Sequence, residues 1–389
     1  MATLSVYLSP FAPDYSGVSS VMFDLNTVTA MHDASGCTGN YTGYDEPRWY
    51  GSKSPIYCSG LREIDAILGD DEKLIGKMLN AAKDIKPDLM AVVGSPVPMV
   101  IGSDMVGIAE ELQARSGIPA LGFDTTGTAY YDKGVTLATI ALLKKFTSKG
   151  ITIPSSLNIL GANPLDFGKG GNLESLKGII EDRGYEVIAC LSMGYDMEAL
   201  RMAGRAQINL AVSRAGYLIA EYMYQEYGIP YLCGLPFGKV REEEYMDEIR
   251  NVMETGRNKI WKGDTYEESE KKILIIGEQV QSNSIREALE TEYGERSVVV
   301  GCIFGKEENL SSKQDVLLEC EKDIIEEMNS GNYKIIIADP FMKQLMKEDN
   351  FATFAENALY AVSSKICAEE TPLLMGEHFN KWWKKYKSN

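Results

Sequence analysis

The alternation of short apolar runs with longer amphipathic stretches constrains the fold of this chain more than any other feature of its sequence. The apolar runs are rich in Val, Ile and Leu, as expected of strands that are buried on both faces of a sheet. The stretches between them repeat their apolar residues at the spacing of an amphipathic helix. The pattern therefore predicts an α/β fold in which β-α units build mostly parallel sheets.

The length of 389 residues is too great for a single hydrophobic core and fits two or three domains. The segment SKGITIPSS at 148–156 combines turn-forming residues with a proline and suits a domain boundary. We predict three Rossmann-like domains, at residues 1–150, 151–270 and 271–360. A basic and aromatic helix at 361–389 is expected to pack back on another domain.

The same pattern predicts the individual elements. In the first domain we expect two helices, at 71–85 and 103–117, the second capped by Ser103. The strands of this domain are expected at 4–10, 28–34, 89–96 and 118–124. The second domain should have a long polar helical span at 239–270, after strands at 156–161, 185–191, 208–213 and 229–236. The strands of the third domain are expected at 271–278, 297–305 and 333–340.

The chain is strongly acidic, with 39 Lys and Arg against 56 Asp and Glu and a formal net charge of −17. A surface of this sign repels the phosphates of nucleic acids and of anionic membranes, so we expect neither as a partner. No run of 18 or more apolar residues is present, and the first residues lack a basic segment followed by an apolar core. These features predict a soluble, cytoplasmic protein.

Seven cysteines are spread along the chain without the spacing of a disulfide framework. The odd count and the lack of a CxxC motif favour a reducing compartment, with thiols that bind metal or are buried. Cys190, Cys233 and Cys302 lie in or at the end of apolar strands, and Cys320 and Cys367 lie among apolar residues at helical spacing. We expect these five to be packed in the core.

Cys37 and Cys58 differ from the other cysteines because each lies in a turn. Cys37 follows a predicted strand and lies between Gly36 and Gly39, which permit tight or left-handed backbone conformations. Cys58 lies just before an amphipathic helix at 61–68. A thiolate on an exposed turn can bind a metal, form a disulfide or react with a substrate. The alternatives are a free thiol at Cys37 and a half-buried, hydrophobic cysteine at Cys58.

Two motifs surround these cysteines, HDASGC at 32–37 and SGLREIDAILGD at 59–70. The first is similar to the His-Gly-Pro-x-Gly-Cys turn of the nitrogenase component 1 family, and the second to the Ser-x-x-x-Glu-x-Asp-x-x-x-Gly-Gly helix start that follows it. This family includes light-independent protochlorophyllide reductase and related tetrapyrrole reductases. The resemblance continues in the same order through further segments, at 86–105, 156–164, 173–187 and 205–232.

Three positions depart from the pattern of that family. No cysteine is present at 9–11 or at 95–96, where the resemblance places the first and third cluster cysteines. Val212 occupies the approximate position of the cysteine that binds the nitrogenase active-site cofactor, which argues against dinitrogen reduction. The resemblance therefore implies a cluster ligand at Cys37 alone, and Cys58 is a candidate on chemical grounds.

In the family, the electron-transfer cluster lies at a subunit interface. A cubane cluster usually needs four protein ligands, and two cysteines from each of two symmetric chains supply four. The resemblance thus implies a [4Fe–4S] cluster bound by Cys37 and Cys58 at the interface of a homodimer, or of a heterodimer with a related chain. His32 is expected to support this site or to be a core residue without binding metal.

The resemblance also implies the function of a nitrogenase-like oxidoreductase, the catalytic component of a two-component, ATP-dependent reductase. Its partner would be an iron-protein-like ATPase that delivers electrons, and its substrate a small molecule that no residue identifies. One alternative is a non-catalytic scaffold or carrier for a metallocluster or a tetrapyrrole. Another is a solute-binding protein of the same architecture, which the lack of a secretion signal disfavours.

Arg214, Asp124 and Lys169 are candidate substrate-pocket residues, and no catalytic residue is assigned. Arg214 follows a predicted strand, where a charge is costly unless it meets solvent, a ligand or an interdomain ion-pair partner. Asp124 ends another strand in LGFDTTG at 121–127, a region that borders the cluster and pocket in the family. Lys169 lies in the glycine-rich loop 161–176, which either holds an anion or is a flexible connection.

Overall fold

The computed structural model describes residues 5–52, 54–263, 266–269, 272–367 and 371–387. Within these residues the chain forms three sheets, and all pairings between the named strands are parallel. The predicted α/β class with three mostly parallel, Rossmann-like sheets is therefore confirmed. The predicted domain limits at residues 1, 270, 271 and 389 lie outside the described residues.

The first sheet has four strands in the order β2-β1-β3-β4. Its strands are β1 (Thr27–Met31), β2 (Ile56–Cys58), β3 (Leu89–Val93) and β4 (Ala120–Phe123). Its helices are α1 (Asp14–Met22), α2 (Gly36–Asn40), α3 (Glu63–Leu68), α4 (Asp71–Ile85), α5 (Pro96–Ile101), α6 (Met105–Ser116) and α7 (Tyr131–Phe146). A π-helical turn, Tyr41–Asp45, continues α2.

Two predictions in this part of the chain are wrong. The expected strand at 4–10 does not form in its described part, residues 5–10. Its amides are instead satisfied by one carboxylate, since Glu321 accepts hydrogen bonds from the backbone of Val6, Tyr7 and Leu8 at 2.7–2.8 Å. The cap of α6 is Asp104 and not Ser103, because the Asp104 carboxylate accepts from the Gly107 amide.

The middle sheet has five strands in the order β6-β5-β7-β8-β9. The strands are β5 (Ser156–Leu160), β6 (Glu186–Leu191), β7 (Ile208–Ala211), β8 (Tyr231–Cys233) and β9 (Lys259–Ile260). The helices are α8 (Pro164–Phe167), α9 (Gly171–Glu181), α10 (Met197–Met202), α11 (Arg214–Tyr227) and α12 (Lys239–Thr255). The helical span expected at 239–270 therefore ends at Thr255, where Gly256 adopts a left-handed conformation.

The third sheet has five strands in the order β12-β11-β10-β13-β14. The strands are β10 (Lys272–Gly277), β11 (Val298–Cys302), β12 (Val316–Leu317), β13 (Tyr333–Ala338) and β14 (Thr353–Glu356). The helices are α13 (Gln279–Tyr293), α14 (Glu321–Met328), α15 (Tyr360–Ser363) and α16 (Glu377–Lys387). The last helix packs on α12 and β14 through three buried rings, Phe379, Trp382 and Trp383.

Helices α1 and α7 cross at very short distance because each has a glycine at the crossing. A Cβ atom on Gly17 would lie 2.0 Å from the Tyr131 carbonyl oxygen, and one on Gly134 would lie 1.9 Å from the Asp14 carbonyl oxygen. Only glycine fits at such positions. The crossing fixes Tyr15 on α1 and Tyr131 on α7, and both side chains belong to the sites described below.

Each sheet reverses its strand order once, between β1 and β3, between β5 and β7, and between β10 and β13. In open parallel sheets, ligands bind beyond the carboxyl ends of the strands at such a reversal. The residues that follow these six strands therefore define where functional side chains should be found.

Candidate cluster site

Cys37 and Cys58 lie at the same edge of the first sheet. Cys58 is the last residue of β2 and is paired in register with Met31, the last residue of β1. Cys37 is the second residue of α2, which follows β1 after a short turn. Both thiols are free and half-buried. The structure thus brings the two predicted ligands to one carboxyl edge, where Cys37 follows a strand at the reversal of strand order and Cys58 ends the edge strand beside it.

Asp33 connects the two cysteines. The Cys58 thiol donates to the Asp33 carbonyl oxygen at 3.3 Å, and the Gly60 amide donates to the Cys58 sulfur at 3.3 Å. The Asp33 carboxylate also raises the pKa of the Cys37 thiol by its charge. That carboxylate accepts from the amides of Ser35 and Thr38, both at 3.0 Å, which fixes the turn that leads to Cys37.

The turn before Cys37 is strained. Ser35 has a φ of +146° and a ψ of −16°, a conformation that residues with a Cβ rarely adopt. Strain of this kind persists only where the surrounding contacts determine it, and the Asp33 carboxylate supplies such contacts. The backbone around Cys37 is therefore held in a fixed geometry.

The surroundings of Cys37 favour its thiol form in this structure. Burial, and then the Asp33 carboxylate, raise the pKa of Cys37, whereas the hydroxyls of Tyr15 and Ser95 oppose that rise. A bound cation favours the thiolate and reverses this balance. Ser95 follows β3 and lies near the position where the family resemblance places another cluster cysteine, and its hydroxyl donates to the His32 carbonyl.

His32 supports the site from behind. Its Nδ1 atom lies 2.9 Å from the Ser59 hydroxyl, which also contacts the amide and the carbonyl of Asp33 at 3.0 and 3.1 Å. Burial lowers the pKa of His32, so the ring is neutral near pH 7. Ser95 donates to the His32 carbonyl at 2.8 Å. These bonds join β1, β2 and β3 beneath the two cysteines.

The donor set of one chain fits half of a cubane cluster. In the part of the chain that the structure describes, no group of three or more His, Cys, Asp or Glu side chains converges as a metal site. Two half-buried thiols at one edge leave sulfur donors available to a second chain. The residues therefore fit a [4Fe–4S] cluster that is shared between two copies.

Exposed apolar side chains surround the cysteine edge. Helix α3 follows β2 and exposes Ile64, Ile67 and Leu68, the last two at 71% and 70%. Helix α5 follows β3 and exposes Val100 at 77%, together with Val97, Met99 and Ile101. We call this set, residues 64, 67, 68, 97 and 99–101, the apolar rim. Exposed apolar side chains on the helices that follow the two strands neighbouring β1 are candidates for an interaction surface.

The remaining cysteines are structural, with one exception. Cys190, Cys233 and Cys302 are fully enclosed in the sheets, and Cys367 is buried as well. Cys320 is half-buried and caps α14 instead of lying on an apolar helix face, so the core position expected for it is wrong.

Arg214 is the first residue of α11, directly beyond β7. Its guanidinium pairs with Asp132 of α7 and, at 2.6 Å, with Glu307 in the loop after β11. It also lines a cavity of about 330 Å³ with Tyr130 and Phe304. Arg214 therefore forms the interdomain ion pair that was one of its two expected roles, and the same side chain also lies in the wall of a cavity.

Asp124 and Lys169 do not line that cavity. The Asp124 carboxylate is exposed and accepts a hydrogen bond from the Met105 amide at 3.1 Å, at the start of α6. Lys169 is exposed in the loop before α9. The three pocket candidates are thus not brought together, and a substrate contact of Asp124 or Lys169 stays a prediction.

A buried acidic cluster next to Arg214 was not expected from the sequence. Glu278 follows β10, and its carboxylate accepts from the amides of Arg214 at 2.6 Å and Gln281 at 2.9 Å. The Asp166 carboxylate accepts a hydrogen bond from the Tyr131 hydroxyl. The side chains of Glu278, Asp166 and Tyr131 are all buried. Burial raises the pKa of Glu278 to about 7, and burial with the nearby Glu278 raises that of Asp166 well above its usual range. The cluster therefore holds protons near neutral pH.

A cavity of about 550 Å³ lies elsewhere. Five carboxylate residues line it, together with Arg241, Lys259 and Trp261. Arg241 stacks on Trp261 at 3.6 Å and pairs with Glu244 and Glu287. The residues that line this cavity lie between positions 241 and 290, outside the first sheet, so the cavity is separate from the cysteine edge.

The chain belongs to the family of nitrogenase component 1 type oxidoreductases, because residues 15–355 match the sequence model of that family. This confirms the resemblance found in the motifs. No helix in the described segments has both the length and the apolar character required to cross a membrane.

Curated relatives are similar at low identity. The nitrogenase iron-molybdenum cofactor biosynthesis protein NifE of Rhodobacter capsulatus is 27% identical over 218 residues, or 54% of this chain and 44% of the relative. NifE of Methanosarcina barkeri is 24% identical over 349 residues, or 79% of this chain and 73% of the relative. A light-independent protochlorophyllide reductase subunit of Synechococcus sp. (strain JA-3-3Ab) is 25% identical over 213 residues, or 51% of this chain and 42% of the relative. The chain thus spans less than half the length of the first and third of these relatives.

Two solved structures share the fold. The structure titled "Nitrogenase Cp1 at pH 5" has a TM-score of 0.64 and 18% identity, covering 92% of this chain and 85% of that chain. The structure titled "Nitrogenase Cp1 at pH 6.5" has a TM-score of 0.66 and 13% identity, covering 92% and 87%. At these identities the likeness establishes the three-sheet fold alone.

Proposed function

We propose that this protein is the catalytic component of a two-component, ATP-dependent reductase, which receives electrons through an iron–sulfur cluster shared by two chains. The observation that supports this most is the pair of half-buried thiols, Cys37 and Cys58, at one sheet edge. Family membership supports the oxidoreductase class. When bound, a [4Fe–4S] cluster takes up and releases single electrons.

The chain's own residues have three roles in this proposal. Cys37 and Cys58 provide thiolates to the cluster, and the same pair from a second copy, or from a related chain, completes the set of four. The apolar rim forms the contact between the two chains and keeps water from the shared site. Asp33 fixes the turn of Cys37 and the orientation of the Cys58 thiol.

The substrate of the proposed reductase is a small molecule that binds in the cavity beside Arg214. Arg214, whose guanidinium is paired with Asp132 and Glu307, lines this cavity, while Tyr130 and Phe304 give it aromatic walls. A second cavity of about 240 Å³ shares Tyr130 and Glu319 with it and extends the available space. An ATP-dependent iron-protein-like donor supplies the electrons from outside, since the sequence has no P-loop or dinucleotide motif.

Anaerobic purification tests the cluster. We expect brown protein with iron and sulfide equivalent to one [4Fe–4S] cluster per dimer, and an EPR signal after reduction. Cys37→Ala should abolish the iron, and Cys58→Ala should weaken or abolish its binding. Cys320→Ala is a matched control, because Cys320 is a half-buried cysteine outside the site and its replacement should leave the iron content unchanged. A colourless wild type without iron after anaerobic reconstitution would refute the proposal.

A donor assay tests the reductase. A reduced iron–sulfur ATPase donor should be oxidised in the presence of the chain only when MgATP is added, as followed by the EPR signal of the donor. Turnover with NADH or NADPH and no partner protein would contradict the two-component mechanism.

A scaffold or carrier for a metallocluster or a tetrapyrrole is the second candidate. The similarity to NifE, a protein named for cofactor biosynthesis, favours it. The two candidates differ in electron uptake. A chain that binds a metallocluster tightly and never accepts electrons from an ATP-dependent donor would be a scaffold.

A further inference from the structure

A segment without regular secondary structure, residues 5–11, precedes α1 and lies against α14 of the third sheet, and we call it the strap. The backbone amides of Val6, Tyr7 and Leu8 all donate to the carboxylate of Glu321, the first residue of α14, at 2.7–2.8 Å. The Tyr7 carbonyl accepts a further hydrogen bond from the Gln344 side chain at 3.2 Å. One carboxylate thus holds three consecutive amides of the strap.

Little buried apolar surface holds the strap in addition to these bonds. Val6 and Tyr7 are exposed at 77% and 56%, whereas Leu8 is buried and Phe11 is half-buried. Beyond the strap the chain is fixed by backbone hydrogen bonds of Ala12 to α15 and to α7, both at 2.9 Å. A segment with few buried contacts on a fixed base opens at a lower free energy than the fold as a whole.

The strap forms one wall of the cavity of about 240 Å³ that extends the proposed substrate site. Residues 5 and 8–11 of the strap line this smaller cavity, and none of them lines the cavity of about 330 Å³ beside Arg214. The two cavities have Tyr130 and Glu319 in common. The smaller cavity therefore borders the strap on one side and the proposed substrate site on the other.

Phe11 connects the position of the strap to the substrate site. The centroid of its ring lies 5.9 Å from that of Tyr130 and 5.7 Å from that of Phe304. Tyr130 and Phe304 are the aromatic walls of the larger cavity. A strap that lifts takes Phe11 away from both rings, so it opens the smaller cavity to solvent and uncovers the walls of the substrate site.

We propose that the strap is a gate through which the substrate enters and the product leaves, and that Glu321 is its latch. The structure shows the gate closed. Three amides must leave one carboxylate for the gate to open, and the same three bonds form again when it closes. Opening of such a segment controls the exchange of ligands with solvent. That the cavity receives a substrate rests on the proposed function, whereas the gate itself is measured without turnover.

Cys320 reports on the gate, because it is a half-buried thiol in the wall of the smaller cavity. The test is the rate at which N-ethylmaleimide alkylates Cys320 in the folded chain, read by mass spectrometry of its peptide and divided by the rate in the urea-unfolded chain. Glu321→Ala removes the latch and should raise this ratio by about tenfold or more, since three backbone hydrogen bonds are lost. Glu326→Ala is the matched control, because Glu326 lies on the same helix with its side chain 65% exposed, and it should leave the ratio unchanged.

A second variant separates opening of the gate from a change of charge near the thiol. Leu8→Ala loosens the strap and leaves Glu321 in place, so it should also accelerate the alkylation of Cys320. It decides alone if Glu321→Ala fails to fold. An unchanged ratio in Leu8→Ala would overturn the inference, whatever the iron content of the protein. Acceleration in a chain that never binds iron would establish the gate and refute the proposed function instead.

Discussion

The guanidinium of Arg214 and the carboxylate of Asp132 form a buried ion pair that joins the first turns of two helices, α11 and α7. Their side chains are only 12% and 3% exposed. Glu307 binds the same guanidinium from the third sheet's side, so residues from all three parts of the chain meet at one arginine. Arg214 therefore forms its ion pairs in the wall of the cavity that we propose as the substrate site.

We expect Arg214→Ala to lower the free energy of unfolding by about 3–5 kcal/mol, since it leaves the buried Asp132 carboxylate without a counter-charge. Urea unfolding monitored by circular dichroism measures this. Arg115→Ala is the matched control, because Arg115 forms its pairs on the exposed surface and should matter far less. Equal losses in the two variants would contradict a special role for the Arg214 pair.

The same residue gives a functional prediction. Arg214→Ala should impair turnover with the ATP-dependent donor while the EPR spectrum of the cluster stays unchanged, because Arg214 lines the cavity and does not contact either cysteine. The comparison requires a temperature at which the variant is still folded. An altered cluster spectrum would mean that Arg214 acts on the metal site and not on the substrate.

The buried acids predict a pH dependence of stability. Asp166 and Glu278 have raised pKa values, that of Glu278 about 7, so the folded chain holds protons that the unfolded chain releases near pH 4–5. Between those limits the folded state binds more protons, and stability falls as the pH rises. Asp166→Asn keeps an acceptor for Tyr131 and removes one buried acid, so it should be increasingly stabilising relative to wild type from pH 5 to pH 7.

Thermal unfolding of both proteins across this pH range checks the prediction. Asp247→Asn serves as the control, since the Asp247 side chain is 74% exposed and its replacement should produce a difference that does not change with pH. A constant difference between Asp166→Asn and wild type at every pH would show that the Asp166 carboxyl has no raised pKa in the folded protein.

The sequence predicts most of the strands and helices because their patterns are local. The helix at 71–85 has the predicted limits, since its buried residues Leu74, Ile75, Met78 and Ala82 repeat at helical spacing. The strand at 4–10 is wrong for a non-local reason. Its amides are bound by Glu321, more than 300 residues away, and no pattern within the segment indicates that partner.

The site shows the same division. Cys37 and Cys58 are visible in the sequence because glycines and a helix start surround them. Asp166 and Glu278 each look like an ordinary polar residue after a strand. They lie close enough to raise the pKa of Asp166 only because the carboxyl edges of the second and third sheets face each other. Tyr15 falls in a helix with no local signal, and its position is set by the crossing of α1 with α7.

The apolar rim predicts a dimer that can be broken by one charge. Ile67→Glu should give a monomer by light scattering and should prevent cluster assembly, because the rim would have to bury a carboxylate. Stability of the monomer itself should change by no more than about 0.5 kcal/mol, since Ile67 is 71% exposed. Ile151→Glu is the control, as Ile151 is 85% exposed outside the rim. A dimer with intact cluster in Ile67→Glu would place the interface elsewhere.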